Sequence, residues 1–431
     1  MAARLRFVPF ICLAAMLLFT YRLYTFSYFS IDDFNNLYWV QQQSALQMLW
    51  YILEPVSRFF RPTGMAVYWL LLRAFGLNAF AYHVVAWSIH AANTVLVYAI
   101  LKRVTESHAG AVTGAMLFAS EAAFSDIYGS FGTIFELVCA AAMFAGILLW
   151  NEEDRSWSRS ILCFLVFIFA FKAKEMAVTL PLIYFGCDLL LRQNLKLKKL
   201  WQLLPFAAFG GWYGLIHLAD MRDTSPAGPY YLDLRWITLG RGYAGYFNEL
   251  LQASFRWQYW AIGFVAFFLL FLFLKMWRAV FFQAYLFISF LPVIFLVNHR
   301  SAFYWYIPML GVCGLAALLV KSLSNAVTRK MPDRLIPVGA AAGSVVLAGG
   351  LYIIQRNETA QYREWQRQIS VEYRSFVASV RALPPPAPGA TIFFESSPRY
   401  FTPEELRYAS QVALRRTDID AKLIVRNQRR E

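Results

Sequence analysis

Charge is scarce in this chain. Only 15% of its 431 residues are charged, against 59% hydrophobic and 18% aromatic, and the mean hydropathy is +0.45. A soluble domain of that balance would expose large apolar patches and aggregate, which excludes an ordinary water-soluble fold. Cysteine is also sparse: Cys12, Cys139, Cys163, Cys187 and Cys313 all lie in apolar runs without metal-ligand spacing. That excludes a disulfide framework and leaves five small buried hydrophobes. Tandem repeats of 30 to 50 residues are missing, which excludes a solenoid. The formal net charge of +14 does not indicate nucleic acid. The basic residues sit in short loops and a basic C-terminal end, and no compact nucleic-acid module is present.

What the chain does have is a series of apolar stretches of membrane-crossing length. They fall near 8–27, 79–101, 110–125, 131–150, 160–174, 176–191, 201–218, 257–275, 279–297, 302–320 and 335–354. The expected fold is therefore an all-α polytopic membrane protein of about 11 transmembrane helices. The first run is too long for a signal-peptide core and lacks a small-residue cleavage site, so it reads as a retained span. Loops at 102–104, 151–159, 192–199, 275–278 and 321–334 share one side and are mostly basic, which makes that side cytoplasmic. This parity requires that two shorter apolar stretches, 61–76 and 236–254, do not cross. Each carries Arg and Gly, and each is expected in the outer interface.

Loops 28–78 and 219–256, and everything after about 355, then lie outside. Residues 1–354 form the membrane domain, and 355–431 a small extracytoplasmic α+β tail that docks on it. In the tail, "ATIFFES" and "AKLIV" read as strands, and Thr-Pro opens a helix at "TPEELRYASQVAL". Arg58, Arg61, Lys172, Lys174, Arg222, Arg235, Arg241, Arg256 and Arg300 cluster near outer membrane ends, against the positive-inside tendency. As a set they suit an anionic lipid headgroup or phosphate. Carboxylates converge on the same side: Asp32 and Asp33 in "SIDDFNN", Glu121 and Asp126, and Glu175 beside Lys174. Carboxylates at a membrane edge are costly and point to function, although Asp and Asn also favour helix caps and turns. His83 and His90 lie seven apart, two turns along one helix face, too far to share a metal.

Three segments carry a family resemblance. Residues 60–104 contain Arg61-Pro62, Phe75-Gly76, Tyr82-His83, His90 and Asn93. Residues 171–191 contain Lys174-Glu175, Pro181 and Asp188. Residues 298–308 contain Arg300, Tyr304, Tyr306 and Pro308. In this order and spacing, residues 1–320 resemble the GT-C glycosyltransferases, above all the membrane region of the transmembrane and tetratricopeptide-repeat protein O-mannosyltransferases and their bacterial relatives. The resemblance implies a polyprenyl-phosphate-linked sugar donor, membrane lipids as surroundings, and an acceptor hydroxyl on a protein, lipid or glycan. It implies acceptor activation by Asp32 and Asp33, with Asp126 as a second acidic site. It implies donor-phosphate binding by Lys174 and Arg300, with Arg61 as a further candidate, and supporting places for Glu175, His83 and Tyr304. For the cofactor it leaves two options, none or a divalent metal ion, since the sequence supplies no complete ligand set.

The chain departs from the family where Ser120-Glu121 replaces His-Pro, where "SAF" follows Arg300, and where the repeats give way to the short tail. The short tail favours a bacterial inner membrane, with the active site and tail facing the periplasm or exterior. Two other readings stay open. A lipid-linked-sugar transporter or flippase would show inverted repeats and broken helices at the midplane. A catalytically inactive glycosyltransferase-like scaffold would fit the altered "SEAAFSD" segment.

Overall fold

The computed structural model describes Leu5 and residues 7–54, 61–151, 156–193, 197–221, 225–329, 331–332 and 335–424. Arg58 and Arg222 of the outer-face set lie outside the described residues. The protein is almost wholly helical. The first half runs α1 (Val8–Arg22), α2 (Ile31–Gln41), α3 (Ala45–Leu53), α4 (Pro62–Phe75), α5 (Ala79–Thr105), α6 (His108–Ala119), α7 (Ser125–Gly129), α8 (Ile134–Trp150) and α9 (Trp157–Ala173). It continues through α10 (Leu180–Gly186), α11 (Leu197–Met221), α12 (Trp236–Leu250), α13 (Trp257–Phe273), α14 (Trp277–Ile294), α15 (Met309–Thr328) and α16 (Ile336–Glu358). The tail holds α17 (Ala360–Ala382), β1 (Thr391–Phe394), α18 (Pro403–Leu414) and β2 (Asp420–Leu423).

Among the described residues, ten of the 11 expected spans overlap an α-helix of 12 residues or more, and the one at 176–191 holds only the seven-residue α10. Among the described residues, five helices are long and apolar enough to cross a bilayer: α5, Phe131–Trp150 (which contains α8), α14, α15 and α16. Helices α1, α6 and α13 are shorter but apolar. The protein is an integral membrane protein. Boundaries move where local chemistry demands it. The span expected at 302–320 starts at Met309, after a 3₁₀ turn at Ala302–Trp305 and an N-cap at Pro308. The span expected at 176–191 opens with a 3₁₀ turn at Glu175–Thr179, and a π-turn at Cys187–Leu191 follows α10.

The two doubtful apolar stretches are α4 and α12, of 14 and 15 residues. At the usual helical rise each is about 21–22 Å long, short of a hydrocarbon core of ~30 Å. Both ends of α4 lie near the same end of the bundle: Arg61 pairs with Glu175, and the tail's Arg415 guanidinium packs on Gly76. Gly76 has φ +56, where an L side chain would be strained.

Glycines bring the central helices together. On α6, a Cβ at Gly110 would lie 2.3 Å from the Ala317 carbonyl oxygen of α15, and one at Gly114 2.9 Å from the Cys313 oxygen. This small-xxx-small pair lets two backbones touch, as membrane helices require in the absence of a hydrophobic drive. Buried polar groups add cross-links. His90 Nδ1 lies 2.7 Å from the Tyr306 hydroxyl, and Asn93 donates to that hydroxyl and to the Leu137 carbonyl.

The tail docks on the bundle. Its strands pair in parallel, Thr391 opposite Asp420 and Phe394 opposite Leu423. Helix α18 opens with a Thr402–Glu405 capping box and Pro403 at its first turn. It packs on α2, with Tyr408 stacked on Tyr38 at 4.1 Å between centroids. Helix α17 starts directly after α16 and lies across the same end of the bundle. Gln366 donates to the Gly129 carbonyl at 2.7 Å, and Ser370 Oγ accepts from the Tyr28 amide.

Candidate active site

The tail and the bundle enclose a cavity of about 1060 Å³. Its acidic side is built by α2. Ser30 caps that helix: its hydroxyl accepts from the Asp33 amide, and the Asp33 carboxylate accepts from the Ser30 amide. Apolar and acidic positions then sort by helical angle. Asp33, Phe34, Leu37 and Val40 are buried, while Asp32, Asn35, Asn36 and Trp39 line the cavity. The second set has the i, i+3, i+4, i+7 spacing of one helix face.

The two adjacent aspartates therefore differ. Asp33 is fully buried. Its carboxylate accepts from the Ser30 amide at 2.6 Å, the Ser30 hydroxyl at 2.9 Å and the Tyr68 hydroxyl at 2.5 Å. Burial nevertheless outweighs these bonds and raises its pKa to about 6. Asp32 is exposed to the cavity, and no donor among the described residues bonds it. Surrounding protein raises its pKa by desolvation, Glu405 adds to that, and Arg61 and His299 oppose it. Asp126 forms a second acidic point. It accepts from the Tyr362 hydroxyl of α17 at 2.6 Å, and burial raises its pKa.

Across the cavity stand the cations. Arg61 makes a two-pronged contact with Glu175, at 2.8 and 3.3 Å. Lys174 is buried at the break between α9 and the 3₁₀ turn, ion-paired to Glu136. The rings of Phe303 and Tyr304 each lie 4.8 Å from its Nζ. His299 lines the same wall, its pKa lowered by burial and by Lys174 and Arg61.

The structure thus brings Asp32, Asp126, Arg61, Lys174 and Tyr304 to one cavity, with Glu175 holding Arg61 behind it. Asp33 sits beneath that wall. Arg300 is exposed, its guanidinium against Gly245, and is not among the lining residues. His83 is buried on α5, 5.9 Å ring to ring from Trp87, away from the lining. Lining residues that sequence reasoning passed over are Glu136, His299, Tyr362, Trp365 and Tyr400. Glu136 carried a usable signal, an acidic residue in the first turn of an apolar span. Among the described residues no group of three or more His, Cys, Asp or Glu side chains could hold a metal ion.

In fold the chain is similar to a solved structure, ArnT from Cupriavidus metallidurans bound to undecaprenyl phosphate. The two are 12% identical with a TM-score of 0.50, and the match covers 95% of this chain and 85% of that one. No protein-family model matches the sequence, and comparison with curated proteins finds no relative.

Proposed function

We propose that the protein is a membrane glycosyltransferase. It moves a sugar from a polyprenyl-phosphate donor to an acceptor hydroxyl on the extracytoplasmic face, in a bacterial inner membrane. One observation carries this reading: Asp32, a carboxylate that no donor among the described residues bonds, faces Arg61, Lys174 and His299 across a single cavity at one end of the bundle. The likeness to a structure bound to undecaprenyl phosphate supports the donor class.

In this reaction the acceptor oxygen attacks the anomeric carbon. The bond from that carbon to the phosphate oxygen breaks, and its electron pair leaves with the polyprenyl phosphate. Asp32 takes the acceptor proton. Its pKa, raised by desolvation, makes it a better base than an ordinary aspartate. Arg61 and Lys174 stabilise the charge growing on the phosphate. Asp33 fixes the helix that aims Asp32, Asp126 supplies the second acidic contact, and Tyr304 walls the Lys174 ammonium. Arg300, outside the wall, has the weakest positional support for phosphate binding.

The test is transfer of labelled sugar from polyprenyl-phosphate donors in membranes containing the chain. Wild type should transfer. Asp32→Asn should fall by about 10²–10⁴-fold, the usual worth of a general base. Transfer by Asp32→Asn at the wild-type rate would remove Asp32 from the chemistry.

A further inference from the structure

The cavity has a second chemical character that acid–base work does not use. One wall is aromatic and comes from the tail. Tyr362, Gln366, Ile369, Ser370 and Tyr373 lie on one face of α17, and Trp365 and Tyr400 stand at the mouth. Tyr362 and Trp365 are 5.6 Å apart between ring centroids, and Trp365 and Tyr400 6.3 Å apart. The three rings run from the carboxylate of Asp126 out to solvent, where Trp365 is 42% and Tyr400 61% exposed. Large aromatic faces left open to water beside a polar cavity need a reason.

The facing wall is the cavity side of α2, with Asn35 and Asn36 one turn beyond Asp32. The Asn35 side-chain oxygen is buried without a hydrogen-bond partner among the described residues. An unspent amide oxygen in a cavity wall calls for a polar ligand. A ligand that fits between these walls offers an apolar C–H face to the rings and a rim of hydroxyls to the amides and the carboxylate. Among biological acceptors a pyranose ring has that division of surfaces. A flexible Ser or Thr peptide presents one hydroxyl and no flat apolar face.

The geometry points to a carbohydrate-binding subsite between α17 and α2, so that the acceptor hydroxyl belongs to a saccharide. This rests on the glycosyl-transfer reading for its role, and on the two walls alone for its existence. The saccharide arrives free in solution or as the headgroup of a glycolipid, and the chemistry at the rings is the same.

Binding can be read without turnover. The full chain in lipid nanodiscs would be titrated with maltotriose, mannotriose and triacetylchitotriose, and in a second arm with the octyl glycosides of the same sugars. Saturation-transfer NMR would report contact. The expected result is binding of at least one sugar, weakened about tenfold by Trp365→Ala or Asn35→Ala, the scale of one lost ring or amide contact. Trp365→Phe should restore part of it. Phe393→Ala, an exposed tail aromatic outside the cavity, should leave it unchanged. Binding in the first arm identifies a soluble glycan, and binding in the second arm only, with the same sensitivity to Trp365→Ala, identifies a glycolipid headgroup. Absence of binding in both arms overturns the proposal. So does binding indifferent to both substitutions, or a Ser/Thr peptide that binds in place of every sugar. Sugar binding without any transfer from polyprenyl donors would instead overturn the glycosyltransferase reading and leave the subsite standing.

Discussion

Replacing Asp33 by Asn should change the pH dependence of stability in a defined window. Two effects oppose each other at this carboxyl. Three donors, the Ser30 amide and hydroxyl and the Tyr68 hydroxyl, favour the ionised form. Burial, with a smaller contribution from Asp32, favours the neutral form, and the pKa ends at about 6 against an ordinary 3.8. The folded chain therefore holds this proton more tightly than the unfolded chain. The stabilisation is complete below about pH 4 and is lost as pH rises through about 6. A difference of about two pKa units corresponds to ~3 kcal/mol. Asparagine is neutral throughout and removes that window. It also turns an NH₂ group toward a donor, which costs about 1–3 kcal/mol at every pH. Wild type should thus be the more stable protein at pH 4, and its advantage should shrink by ~3 kcal/mol by pH 7. Unfolding in one detergent followed by circular dichroism, for both proteins at each pH, measures the gap. Asp126 titrates in both proteins and cancels to first order. A gap that stays constant or widens from pH 4 to pH 7 refutes the assignment of a buried, proton-binding carboxyl at this cap.

Two further outcomes follow from other contacts. Tyr362→Phe removes the 2.6 Å bond to Asp126, a bond that favours the carboxylate, so the Asp126 pKa should rise further. The acid limb of the transfer pH profile should move to higher pH, and an unmoved limb would show that ionised Asp126 is not needed. Gly110→Ala places a methyl group 2.3 Å from the Ala317 carbonyl oxygen, where backbone must shift. Thermal unfolding should show a loss of about 1–3 kcal/mol. Gly349→Ala, which meets nothing within 4 Å, should show none.

The membrane helices were legible because their signal is one-dimensional: a long enough apolar run must close its own hydrogen bonds as a helix. Helix α4 was harder. Arg61 and Gly76 flag its ends, but only the contacts of those residues with Glu175 and Arg415 show that both lie near one end of the bundle. The site was legible as a set of residue types and only partly as roles. Asp32 and Asp33 are equivalent in sequence, and about 100° of helical rotation separates a cavity carboxylate from a buried cap. The Ser30-x-x-Asp33 spacing held that information, since it matches a capping box. Arg300 and His299, neighbours in the irregular segment between α14 and the 3₁₀ turn at Ala302–Trp305, also exchange places, with the lining residue being the one not singled out. Trp365 and Tyr400 had no local signal at all. Their role depends on where the tail docks, which is set by contacts such as Gln366 to Gly129 more than 200 residues away in the chain.

The pairing of the cations bears on how a phosphate would be held. Lys174 and Glu136 are both nearly inaccessible to solvent, so removing either alone would leave a buried charge unpaired. Arg61 has the same arrangement with Glu175 in a less buried setting. A donor phosphate entering this wall exchanges one anion for another and does not fill a bare cation, so its ground-state binding is limited. In the proposed reaction, negative charge accumulates on the phosphate as the bond to the sugar breaks. The same Arg61 and Lys174 contacts then strengthen while the competing carboxylates gain nothing. Interactions that grow toward the transition state raise the rate, and those already complete in the ground state do not. Carboxylates that hold both side chains in place before the donor arrives are thus compatible with catalysis, and they account for acidic residues standing beside a wall that must hold an anion.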